Sequence, residues 1–367
     1  MKLWQIAIVT LAGVGYGLVQ PGKLTYAFGQ ITLYVLLPGL IFEAAWHLNY
    51  RAMMRQWRAI AFLALPGVLL TALIIAGALA VVRVPFPVAL LTGAILSATD
   101  PIAVVAAFKR LGAPRLLATI VESESLLNDA VAVVLYRAVL VAVLAVNLPA
   151  GAYARIAAAS LAGSVFGAFV GAFAGFCVAL LLRGSRGAFP QIVATLAGAY
   201  GTYLAVDTLH GSGIFATIAF GIALRYFERR WLALSIARDV DNFWNLAASA
   251  ANVVVFFLVG AALDISIVAA APVFVIATFA GVAVARFGLS SMLAPGGYPR
   301  EWLDVIRVAG MRGALSLALA ISLPPQTPYR EAIVAATFAV AIATIVSSAF
   351  TVPPAVARVI GAAPRAM

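Results

Sequence analysis

An all-α polytopic membrane protein with about twelve transmembrane helices is the fold class this sequence predicts, and three observations predict it. The 367 residues are 64% hydrophobic, with a mean hydropathy of +1.07. Only 10% are charged, where soluble chains hold roughly 25%. The apolar residues fall into runs long enough to cross a bilayer. A composition this apolar cannot be hidden in one water-excluded core, which excludes a soluble globular protein.

Taken in order, the runs place spans at about 3–20, 29–47, 59–82, 86–108, 116–146, 154–182, 190–208, 211–227, 241–263, 266–292, 301–323 and 332–352. The first follows Lys2 like a signal peptide, but no small-residue cleavage site ends it, so it is read as a span. The sixth carries the single cysteine, Cys177. That excludes an intrachain disulfide and a cysteine metal site, and a small buried residue is the expected role.

The loops test the count. With twelve spans, fifteen Lys and Arg residues, from Lys2 to Arg365 and including Arg186, Arg229 and Arg230, fall on the side of both termini. Four, Lys23, Arg83, Arg155 and Arg330, fall on the other. Such a bias makes the fifteen-cation side cytoplasmic and puts both termini inside. It also accounts for the net charge of +11 without nucleic acid.

Spans four and eleven read as broken. Span four contains SATDPIAVV; Pro101 lacks a backbone N–H and disfavours helix at Asp100. Thr99 or Asp100 is expected to cap a second half-helix with Pro101 at its first position. Span eleven contains VAGMRGALSLALAISLP, with Gly310 and Gly313 flanking Arg312. Seven spans apart, the two run in opposite directions, the pattern of an inverted-repeat transporter with crossing broken helices and a site near the midplane. Two ordinary Gly/Pro kinks are the alternative.

Span five carries the chemistry. Its stretch VESESLLNDAVAVVLYRAVL places Glu122, Glu124 and Asp129 within eight residues. Charges at the bilayer centre cost roughly 2.5–3.5 kcal/mol each and mark ion paths. Ser125 and Asp129 are i, i+4 and share a face, while Glu124 and Asn128 form the neighbouring ridge. Carboxylate, hydroxyl and amide oxygens suit a small alkali cation rather than a soft metal. Unwound backbone near Thr99 adds carbonyl oxygen. A carboxylate there holds a proton or a cation, not both. Plainer roles stand beside these: Ser125 bonded to its i−4 carbonyl, Asp100 as a cap, Asn128 joining helices, Glu122 solvated. Glu124 is expected to pair with Arg312. Arg225 and Asp239 are a possible pair, against a snorkelling arginine.

These residues resemble the monovalent cation:proton antiporter superfamily, in its sodium/proton exchanger branch, prokaryotic type. The carriers are ATDP at 98–101, ESLLNDAVAVVLY at 124–136, LLPGLIFEAAWHLN at 36–49, TYLAVDTLHGSGIFATIAFGIALRY at 202–226, DNFWNLAASAANVVVFFLVG at 241–260 and GMRGALSLALA at 310–320, in family order over nearly the whole chain. The resemblance implies exchange of Na⁺ for H⁺ by alternating access, with Li⁺ or K⁺ as other cations and no cofactor. Asp129 would bind proton and cation in turn. Ser125, Glu43 and the Thr99 backbone would add ligands. Asn128 and Asp100 would support the site, and Glu124 would pair with Arg312. The Asn before Asp129 is similar to members exchanging one cation for one proton electroneutrally.

The resemblance also implies one transport unit over 1–367, with core helices at about 59–146 and 266–352, dimerisation helices at about 3–47 and 190–263, and a connecting helix at about 154–182. Its partners would be lipid and a second copy in a homodimer, with no nucleic acid. The setting would be a prokaryotic inner membrane. The matched motifs begin one helix early, as if a leading helix were missing, and the short tail after Pro354 argues against a large regulatory domain. Asp207 stands where Glu is common in the family, and Asn245, after Phe243 and Trp244, where an acid is common.

A K⁺-selective antiporter, a passive cation channel and an intramembrane hydrolase are the rivals. A serine hydrolase needs Ser and His, and only His47 and His210 exist, the latter crowded against Ser212. An aspartyl type could use Asp100 and Asp129, but leaves Asn128 and Arg312 without work.

Overall fold

The computed structural model describes residues 3–19, 26–145, 149, 151–183, 187–231, 234–261, 265–293 and 297–362. Lys2, Lys23, Arg186 and Arg365 of the charge count lie outside the described residues, as do the side chains of Arg229 and Arg230. Among the described residues every regular element is helical. In chain order they are α1 (Leu3–Val19), α2 (Tyr26–Ile31), a π-turn at Thr32–Leu36, α3 (Leu37–His47), α4 (Tyr50–Arg55), α5 (Trp57–Ala64), α6 (Pro66–Val81), α7 (Phe86–Ser97), α8 (Ile102–Leu111) and α9 (Arg115–Leu144). There follow α10 (Ala152–Leu181), α11 (Ala188–Thr208), α12 (Gly213–Trp231), α13 (Leu234–Ala261), α14 (Ile265–Ala270), α15 (Pro272–Met292), α16 (Arg300–Val308), α17 (Ala314–Ile321) and α18 (Arg330–Ala362).

Proline explains most interruptions. Pro66 and Pro272 each start a helix where an apolar run reads as continuous, because the ring removes one N–H and fixes φ. The reverse holds at the end of the chain. A reading that stops at residue 352 respects Pro353 and Pro354, yet α18 runs through both. Val352, Ala355, Val356 and Val359 are buried in one core cluster with Leu303, Val305 and Leu117, and that burial outweighs the helix defect.

Among the described residues six stretches, 29–47, 57–81, 115–144, 152–181, 272–292 and 330–361, are long and apolar enough to cross a bilayer. The two interrupted spans are not among them, since each is two short helices, α7 with α8 and α16 with α17. Large apolar side chains point outward, as at Leu161, Val165, Phe169 and Phe173 of α10. Their i, i+4 spacing gives an exposed apolar stripe along one face of α10.

The described chain forms two compact units. One comprises residues 1–29, 51–146 and 256–367, the other 30–50 and 147–255. The second is built on aromatic packing, with Phe42 against Trp46 (5.7 Å) and Trp244 (4.5 Å between centroids). Its Arg225 lies over the Trp46 ring at 4.5 Å and bonds Glu228 (2.7 Å) and Asp241 (3.2 Å). Asp239 is not the partner: two residues turn a helix by about 200°, which leaves Asp239 exposed. Cys177 is half-buried rather than buried.

In the same unit α10 lays Gly167, Gly171 and Gly175 along α12. A β-carbon on Gly171 would overlap the Ala216 carbonyl, so only glycine permits this approach. We expect Gly171→Val to cost about 1–3 kcal/mol through overpacking, read as a lower melting temperature of the detergent-solubilised protein. Unchanged melting would show that α12 does not depend on this approach.

Candidate functional site

The site grows from two backbone breaks in the first unit. α7 stops at Ser97, and Ala98 turns extended (φ −61°, ψ 143°) before α8 begins. The half-helix starts at Ile102, one residue later than the sequence suggests. Pro101 occupies the cap position and no side chain caps it, because its φ of −89° and ψ of −1° already lead into the helix. α16 stops at Val308, and Gly313 is extended before α17.

The breaks are in contact. The Asp100 N–H donates to the Met311 carbonyl at 2.9 Å. Arg312 Nη1 donates to the Ala98 carbonyl at 3.2 Å. A β-carbon on Gly313 would fall on the Asp100 carboxyl, so glycine there lets the carboxyl close over the start of α17. The electrostatics agree: the guanidinium sits at the C-terminal end of α7 and the carboxylate at the N-terminal end of α17, each offsetting the local helix dipole.

α9 passes beside this contact. Ser125 Oγ donates to the Thr99 carbonyl at 2.5 Å, not to the carbonyl one turn back on its own helix. Asn128 Nδ2 donates to Thr99 Oγ1 and to Glu124 Oε1, both at 3.3 Å. Thr99, Asp100, Ser125 and Asn128 are buried. Asp129 is half-buried as a residue, yet its Oδ1 is shut off from solvent and has no hydrogen-bond partner among the described residues. Asn128 Oδ1 is in the same condition. The Thr99 backbone and the charges of Asp100 and Arg312 bear on the Asp129 carboxyl. Buried polar atoms normally find partners. Two acceptor oxygens left without one, beside a hydroxyl and a backbone carbonyl outside any helix, are chemically suited to a hard monovalent cation.

The expected Glu124–Arg312 ion pair is corrected. Glu124 Oε1 is 2.9 Å from Arg286 Nη1, with the Glu124 side chain buried and that of Arg286 partly so. Arg312 Nη1 donates instead to the Ala98 carbonyl. Arg286 also packs against Gly310, where a β-carbon would strike the guanidinium. Arg286, the partner of Glu124, is the residue that sequence reasoning missed. An arginine inside VFVIATFAGVAVARFGL is costly in a membrane, and that cost was the available signal.

Glu43 belongs to the second unit, on α3, where its Oε1 lies 3.2 Å from His47 Nδ1. Glu122 is half-buried. Ser212, the candidate for a hydrolytic nucleophile, accepts the Phe215 N–H at 3.5 Å, the position of a helix cap. No group of three His, Cys, Asp or Glu residues suited to a metal occurs among the described residues.

Known proteins share this chain's sequence pattern and fold. The family described as "Sodium/hydrogen exchanger, transmembrane" matches residues 5–358. The Na⁺/H⁺ antiporter ApNhaP of Aphanothece halophytica is 30% identical over 94% of this chain and 67% of its own length. The low-affinity Na⁺/H⁺ antiporter NhaS1 of Synechocystis is 30% identical over 95% of this chain and 68% of its own. A structure of the sodium proton antiporter MjNhaP1 from Methanocaldococcus jannaschii at pH 8 superimposes with a TM-score of 0.74. It covers 97% of this chain and 92% of its own at 20% identity, which is a likeness of fold.

Proposed function

We infer the function from a plain premise: the chain belongs to the sodium/hydrogen exchanger family. It is an integral membrane protein and a transporter that exchanges Na⁺ for H⁺. Its mechanism is secondary active antiport by alternating access, with Asp129 taking H⁺ and the cation in turn. Ser125 and the Thr99 carbonyl supply further ligands to the cation. Asn128 and Asp100 hold the site in shape. The observation that carries this reading is the Asp129 Oδ1, enclosed and unpartnered beside a broken helix.

Charge balance supports a 1:1 electroneutral exchange. Five charged side chains meet at the breaks: Asp100, Glu124 and Asp129 against Arg286 and Arg312. Three negative less two positive leaves −1, which one proton or one Na⁺ cancels. A buried uncompensated charge is costly, so either ion returns the cluster to neutrality and the empty cluster is disfavoured.

The carrier is assigned to helices at about 59–146 and 266–352, which hold these site residues. The scaffold and homodimer contact are assigned to about 3–47 and 190–263, connected by 154–182. Both termini are assigned to the cytoplasm of a prokaryotic inner membrane from the loop charges.

The test is reconstitution in vesicles with an acid interior and a quenched pH dye. Added NaCl or LiCl is expected to restore fluorescence more than KCl, equally with the membrane potential clamped at zero or left free. A passive channel would follow the clamp, a K⁺-selective antiporter would reverse the order, and a hydrolase would give no cation-driven proton movement.

A further inference from the structure

We propose that Thr344 of α18 is a positioning residue for the exchange site, and that it acts by fixing one peptide plane at the second break. This inference rests on the Na⁺/H⁺ reading above. The plane is the Met311–Arg312 peptide. Its carbonyl accepts the Asp100 N–H at 2.9 Å, and its N–H donates to Thr344 Oγ1 at 3.1 Å. A peptide unit is planar and rigid, so its two polar groups turn together. A partner that holds the N–H therefore also aims the carbonyl at Asp100.

Two further observations make this a built arrangement. The Thr344 hydroxyl is itself oriented, because it donates its proton to the Ala341 carbonyl at 3.0 Å and so presents lone pairs to Arg312. Four residues on, Ser348 Oγ donates to the Val308 carbonyl at 3.3 Å. Residues i and i+4 share one helix face. One face of α18 thus supplies an acceptor to the N–H before α17 and a donor to the carbonyl that ends α16. The break leaves both groups without helical partners, and hydroxyls from a continuous neighbouring helix supply them. At the first break the corresponding hydroxyl comes from α9, where Ser125 Oγ donates to the Thr99 carbonyl, and the Asp100 N–H donates to the Met311 carbonyl.

The path to the ion is short. Thr344 fixes the 311–312 peptide, the peptide holds Asp100, and the adjacent Thr99 supplies the carbonyl and hydroxyl that Ser125 and Asn128 engage. Loosening the plane shifts the ligand carbonyl without removing any group that touches the ion.

The experiment compares Thr344→Val, Thr344→Ala and Thr344→Ser in reconstituted vesicles with wild type, and Asp129→Asn as the inactive reference. One net hydrogen bond corresponds to a three- to tenfold change, as an order of magnitude. We expect the Val and Ala variants to raise the apparent KM for Na⁺ by about that factor and to change the Li⁺/Na⁺ ratio of KM values. Maximal rate should fall less, and Thr344→Ser should match wild type. Should Val fail to fold, Ala and Ser give the same comparison. Unchanged KM and ion ratio in whichever hydroxyl-free variant folds would overturn the proposal. So would equal losses in the Ser variant. Absence of exchange in wild type would instead overturn the antiport reading itself.

Discussion

Asp129→Asn is expected to abolish Na⁺-driven proton movement while leaving the protein folded. Asparagine keeps the shape and removes the charge. A cation entering the cluster then meets no compensating anion and bears a cost of about 2.5–3.5 kcal/mol for an uncompensated charge at mid-membrane. That corresponds to about two orders of magnitude in affinity. The amide also takes no proton, so the return half of the cycle fails too. Because Oδ1 has no hydrogen-bond partner among the described residues, the fold loses little with it. Size-exclusion behaviour and melting should stay close to wild type. The wild type carries a matching pH signature. If H⁺ and Na⁺ compete for one carboxylate, protonation removes the cation site. Apparent KM for Na⁺ should then rise about tenfold per pH unit on the acid side of the site's titration and level off on the alkaline side. A shallow or absent slope, or robust exchange by Asp129→Asn, would remove Asp129 from the mechanism.

Arg286→Met is the change with the largest expected effect on stability. It leaves the Glu124 carboxylate buried beside Asn128 with its counter-charge gone. Breaking a buried pair by removing one partner costs about 3–5 kcal/mol, whereas removing both is often near neutral. We therefore expect Arg286→Met to lower expression and melting temperature sharply, and Glu124→Gln/Arg286→Met to recover most of the loss. Arg312→Met is the informative control. Arg312 bonds a helix-end carbonyl rather than Glu124, so combining it with Glu124→Gln should bring no recovery. Recovery in that double variant, with none in the Arg286 pair, would return Glu124 to Arg312.

The two predictions separate what is local from what is not. The oxygen-bearing face of α9 is written in its spacing. Ser125 and Asp129 are four apart, Glu124 and Asn128 are four apart, and the observed Asn128–Glu124 bond at 3.3 Å follows from the helical period alone. Pro101 and the glycines around Arg312 likewise announce the breaks, because backbone chemistry acts on its own neighbours.

The sequence by itself determined a membrane-embedded helical chain, the places where two helices fail, and the face of α9 that carries the oxygens. Tertiary structure alone decided which guanidinium neutralises Glu124, which peptide plane ties one break to the other, and that α18 continues through two prolines. The reason is physical. Period and proline act over one turn, whereas Glu124 and Arg286 stand 162 residues apart. Which buried charges meet across such a distance is settled by how the helices pack.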